Sequence, residues 1–202
     1  MSITLFIILA TVLVSISGFG HGIAFERMKF NAYEIRRKKQ FYRFLSYGLL
    51  HVDYMHLLVN MFVLYSFGRN VEAMFMVHFG KIGGLFFVLL YISGLVCSVI
   101  PSYFKHNKNH YYNAVGASGA VSAVLFSSIL LYPQGSVMFI FFPVPIPAFI
   151  FGLLYLVYSA YMARRGTDNV GHDVHFWGAI FGVVFTTVLD PALFLSFLQY
   201  VF

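Results

Sequence analysis

Six long apolar segments leave this chain little freedom of fold. They cover roughly 3–25, 54–72, 81–101, 115–132, 146–163 and 174–190, and each approaches the ~20 apolar residues that cross a bilayer core. Of the 202 residues, 60% are hydrophobic and only 10% are charged, against about 25% charged in soluble domains. A water-soluble protein of this size could not hide so much apolar surface, and mean hydropathy is +0.81. The sequence therefore predicts an all-α fold: a polytopic membrane helix bundle of six transmembrane helices.

The segments between the spans fit that picture. The start, "MSITLFIILATVLVSISGFG", lacks a basic leader and a small-x-small cleavage site, so it reads as an uncleaved first span. "ERMKFNAYEIRRKKQFYRF" is the one strongly charged stretch, with Phe30, Tyr33, Phe41, Tyr42 and Phe44 among its charges. That mix suits the membrane interface, where aromatics sit at headgroup level and basic side chains meet lipid phosphates. The net charge of +6 thus points to the lipid bilayer as a partner and to no nucleic acid. "YPQGSVMFIFFPVPIP" reads as a Pro-rich turn, and the apolar tail "PALFLSFLQYVF" as an interfacial segment. The single cysteine, Cys97, excludes a disulfide framework and reads as a small core residue. With no repeat or linker, residues 1–202 form one domain.

Polar residues inside spans carry the functional signal, because lipid penalises them unless they face the bundle interior. His56 and Asn60 lie four apart and share one helix face. Ser118 sits within "NAVGASGAVSAVLF", Asn113–Phe126, among Gly and Ala. His175, Gly178 and Gly182 fall at i, i+3 and i+7, with His172 one turn earlier. A lone serine in a span usually bonds back to its own helix, and a lone histidine near a span end is usually an interfacial hydrogen-bonder. The constellation says more. Gly178 and Gly182 form a GxxxG face, on which a neighbouring backbone can approach closely. The fourth span offers Gly116, Gly119, Ala120 and Ala123 as the matching surface. If the two faces meet, Ser118 and His175 lie near the same end of the contact, as an activated serine requires. On this reading an alanine at Gly178 is tolerated and a valine is not, while Ala179 faces lipid.

"GASGA" around Ser118, "HxxxxHxxxN" at His51–Asn60 and "HxxGxxxG" from His175 resemble the rhomboid intramembrane serine proteases, in order and over nearly the whole chain. The resemblance implies a Ser118–His175 dyad, with His56, Asn60 and the Ser118 N–H donating to the oxyanion. It also implies a substrate approach past Gly116 and Gly119, helix-packing support from Gly178 and Gly182, and anchoring by Arg43, Gly68 and Glu72. The substrate would be a single-span transmembrane protein, cut near the bilayer surface without cofactor or metal. The membrane expected is the inner or plasma membrane of the cell.

Two departures stand out. The family often places an aromatic residue against the catalytic histidine, four positions after the nucleophile. Here that position is Ser122, so another aromatic holds His175 or the ring is looser. His172 also competes with His175 as the base, and the GxxxG register favours His175. Two other functions remain open: a non-catalytic rhomboid-like protein that binds membrane helices, and a metal-dependent membrane hydrolase or hydroxylase using His51, His56, His172 and His175. Orientation is an open conflict. The resemblance puts the active-site mouth outside, whereas the Lys and Arg count puts it in the cytoplasm.

Overall fold

The computed structural model describes residues 2–19, 22–139, 142–166 and 170–202. It is a helical bundle. Helix α1 (Ile3–Gly18) is followed by three short helices, α2 (Ile23–Met28), α3 (Ala32–Lys38) and α4 (Arg43–Ser46). Helix α5 (Tyr54–Val63) runs through a π-helical turn, Leu64–Gly68, into α6 (Arg69–Phe79), and α7 (Gly83–His106) returns beside it. Then come α8 (Ser118–Leu131), a hairpin of β1 (Ser136–Phe139) and β2 (Phe142–Pro147), α9 (Ala148–Arg165), α10 (His172–Leu189) and α11 (Pro191–Val201).

Among the described residues, two helical runs are long and apolar enough to cross a membrane: Tyr54–His106, with mean hydropathy 2.3, and His172–Leu189, with 1.2. The first is folded back on itself. Gly80 takes a left-handed φ of 62°, and a β-carbon on Gly83 would lie 2.1 Å from the Phe75 carbonyl oxygen. Only glycine lets α7 start that close to α6.

The second apolar segment extends past its expected end at residue 72, and Glu72 shows why. Its carboxylate accepts from Ile3 N (2.8 Å), Thr4 N (2.9 Å) and Thr4 Oγ1 (2.6 Å). The two backbone N–H donors open α1, where no intrahelical acceptor exists. A carboxylate inside an apolar helix thus caps a different helix.

The basic stretch divides its aromatics between two environments. Phe30 is fully buried, edge-on to Phe44 and Tyr47 at 5.8 Å each and to Tyr112 at 6.4 Å. Phe41 and Tyr42 are exposed, so only part of the expected interfacial belt faces outward. Arg43 is buried and donates to the carbonyls of Glu26 (3.0 Å) and Lys29 (2.6 Å) at the end of α2. It is therefore a structural strut.

The expected Pro-rich turn is instead an antiparallel ribbon, with Ser136 opposite Pro147 and Val137 opposite Ile146; Ile140 and Phe141 lie outside the described residues. Pro143, Pro145 and Pro147 occupy alternate positions of β2. Their missing N–H groups fall on one edge, which leaves the other edge able to pair.

Helix α8 is the centre of the bundle: 12 of its 14 residues are buried. An apolar surface on all sides marks such a core helix. Helix α11 has no buried residue. Asp190 caps it by accepting Ala192 N at 2.9 Å and also bonds His78 Nε2, at the end of α6, at 2.6 Å.

Candidate active site

Helix α10 packs more extensively on α8 than on any other helix, and the contact is backbone on backbone. A β-carbon on Gly178 would lie 2.2 Å from the Gly119 carbonyl oxygen, and one on Gly182 would lie 2.1 Å from that of Ala123. The pairing advances in step, 119 with 178 and 123 with 182, so the two helices run parallel. That register puts the start of α8, with Ser118, and the start of α10, with His175, at the same end of the bundle. Asp173 pins that end of α10 to α7 by accepting from Ser102 Oγ at 2.6 Å.

Part of the expected matching surface looks elsewhere. Ala120 faces α7, its Cα 3.2 Å from where a β-carbon on Gly94 would stand. Gly116 has a φ of 122°, and its β-carbon would meet His56 Cε1 at 2.7 Å. Gly119 is crowded by Ser98 Oγ, 2.2 Å from its β-carbon position, and by Val174. Both Gly116 and Gly119 are buried and make room for the protein's own side chains. Ala179, expected to face lipid, is corrected. It is fully buried among residues such as Leu125 and Ile129, away from lipid.

The segment leading into Ser118 is tethered at four positions. Asn113 Oδ1 accepts from Asn31 Nδ2 at 2.9 Å. Ala114 exchanges both backbone hydrogen bonds with Phe30, at 2.9 and 3.1 Å. Gly116 N donates to the Tyr47 carbonyl at 3.1 Å, and Ala117 N to His51 Nε2 at 3.5 Å. Tyr47 is itself buried, with its hydroxyl donating to the Leu95 carbonyl at 2.8 Å. The charges and aromatics of this first loop suit the membrane surface, and in the fold the loop also braces the segment before Ser118. The polar pair Asn31 and Asn113 was the available signal.

His51 is wholly buried. Ser15 Oγ donates its one proton to the Leu49 carbonyl at 2.7 Å, so it accepts from His51 Nδ1 at 2.9 Å. That leaves Nε2 as the acceptor for Ala117. Burial, and then the neighbouring His56 ring, lowers the His51 pKa to about 3, which keeps it neutral. His56 lies edge-on to it at 4.9 Å, on the first turn of α5, which Asp53 caps by accepting His56 N at 2.7 Å. Asn60, one turn on, is buried and donates to the His56 carbonyl at 2.9 Å, which leaves its second amide hydrogen for another partner. The structure thus brings His56 against Gly116, two residues before Ser118.

His172 and His175 differ in surroundings. His172 is buried and edge-on to Tyr158 at 5.5 Å, while His175 is half-buried. The His175 ring stacks on Tyr155 of α9, with centroids 6.4 Å apart and planes at 27°. Tyr155 Oη lies 2.7 Å from Ser122 Oγ. The aromatic that α8 lacks at position 122 arrives from another helix, so the looser alternative for His175 falls away. Ser122 was its only sequence trace.

Residues 38–191 match the family model of the rhomboid domain. RHOMBOID-like protein 12, mitochondrial, of Arabidopsis thaliana is 27% identical over 137 residues, covering 64% of this chain and 40% of that protein. Presenilin-associated rhomboid-like protein, mitochondrial, of Rattus norvegicus is 29% identical over 147 residues, covering 68% and 35%. Rhomboid protein 1, mitochondrial, of Saccharomyces cerevisiae is 26% identical over 146 residues, covering 71% and 40%. The chain thus spans less than half the length of these relatives. Their mitochondrial names overturn the expected inner or plasma membrane of the cell, because hydrophobic spans suit any bilayer and carry no address. With its match running from the basic loop to the end of α10, this chain belongs to the rhomboid family.

Proposed function

We propose that the chain is an intramembrane serine endopeptidase that cleaves single-span membrane proteins near the surface of a mitochondrial membrane. Its six-span core consists of α1, α5 with α6, α7, α8, α9 and α10, in a single domain. One observation supports this reading: the parallel backbone contact of α8 and α10, with Ser118 and His175 carried at the same end of it.

His175 takes the Ser118 hydroxyl proton as the oxygen attacks the scissile carbonyl. The tetrahedral oxyanion forms beside the Ser118 N–H, at the start of α8, where donors lack intrahelical acceptors and the helix dipole favours negative charge. His56 and the free Asn60 amide hydrogen complete the donor set. His175 then returns the proton to the departing amine, and water releases the acyl group by the reverse sequence. A metal-centred reaction fits poorly, since both His51 nitrogens are already engaged by Ser15 and Ala117.

A serine-directed phosphonate is expected to modify Ser118, with labelling unaffected by a chelator; mass spectrometry of the adduct reads this directly. Absence of labelling leaves a membrane-helix binding protein, and loss on chelation leaves a metal enzyme. His56→Ala and Asn60→Ala should each lower kcat by about 10²–10³ with KM nearly unchanged, because their bonds strengthen as the oxyanion forms. A change confined to KM assigns both residues to packing.

A further inference from the structure

We propose that Tyr155 of α9, anchored by Ser122 of α8, is a positioning residue that holds the His175 imidazole toward Ser118. The inference rests on the dyad reading above. A general base on a half-buried helix turn keeps rotamer freedom unless something packs on its ring. The Tyr155 ring does so at 6.4 Å between centroids and 27° between planes, within the range of offset aromatic stacking.

Tyr155 is itself fixed on three sides. Its hydroxyl lies 2.7 Å from Ser122 Oγ. Its ring meets Phe126 at 5.7 Å and Phe151 at 6.0 Å. Gly152, one turn earlier on α9, lets the helix close on α8, since a β-carbon there would stand 2.9 Å from Ile129 Cδ1. Ser122 is one turn beyond Ser118 on α8. The hydroxyl pair therefore ties the helix bearing the nucleophile to the ring that orients the base. A short side chain at position 122 serves as the anchor for an aromatic delivered from α9.

Two readouts on the full chain in liposomes test this: the phosphonate labelling rate at Ser118, and kcat and KM on a single-span substrate. Tyr155→Leu should slow labelling and kcat by about 10–100-fold while KM changes by less than about twofold, as expected for a misplaced base. Tyr155→Phe keeps the ring and should restore the rate to within about 10-fold of the parent. Ser122→Ala, a mild change that spares folding, should match Tyr155→Phe. The double variant Ser122→Ala with Tyr155→Phe should be no slower than either single, because both remove the same bond. Parent-like labelling in Tyr155→Leu, or a Tyr155→Phe as slow as Tyr155→Leu, overturns the ring's role. Additive losses in the double variant overturn the Ser122 anchor. If Ser118→Ala still cleaves, the dyad reading itself fails; if Ser118→Ala is dead and Tyr155→Leu is normal, only this inference fails.

Discussion

If the proposed function holds, Ser118→Ala and His175→Ala are each expected to yield a folded, inserted chain that no longer cleaves a single-span substrate, and His172→Ala to retain substantial activity. The expected loss for either dyad member is on the order of 10⁴–10⁶ in kcat, because nucleophile and base act as one unit. For the same reason the double variant is no worse than either single. His172 is buried against Tyr158 at the start of α10, so its alanine variant should lose thermal stability more than rate. Cleavage assays read beside melting temperatures separate the two effects. A dead His172→Ala with an active His175→Ala would reverse the assignment of the base.

Gly178→Ala comes next in expected effect, and here the structure revises the tolerance expected from sequence. A β-carbon at 2.2 Å from the Gly119 carbonyl oxygen meets backbone, which has no rotamer to yield. Helices α8 and α10 must part by roughly 1 Å, a displacement that can cost on the order of 10² in rate between reacting groups. Gly178→Val adds overpacking of about 1–3 kcal/mol and should be inactive as well as less stable. Outward substitutions on the same helix, at Trp177 or Val184, should change the rate by no more than a few-fold. Ala179 cannot serve as that control, since it is fully buried. A Gly178→Ala variant with parent activity and melting temperature would show that the Ser118 and His175 turns do not depend on this contact.

Much of this was legible in the chain itself. The helical segments follow from apolar length, because backbone groups in lipid must pair within their own segment. The close approach of α10 follows from Gly178 and Gly182 at four-residue spacing. The order of Ser118, His175, His56 and Asn60 along three spans carried the family resemblance. Each of these is a local pattern, set by bonds and side-chain periodicity within a few turns.

Other features needed the tertiary structure, since each joins residues far apart in the chain. Glu72 gives no local hint that it caps α1, 68 residues away. Nothing near His51 announces Ser15 and Ala117 as its partners. Gly116 fits any close helix contact until the fold turns it toward His56 instead of α10. Position 122 shows only a missing aromatic, and the packing of α9 decides that Tyr155 fills the place. The physical reason is the same in each case. Periodicity specifies which face of a helix is buried, whereas the partner on that face is set by the register between whole helices, which no single window of sequence contains.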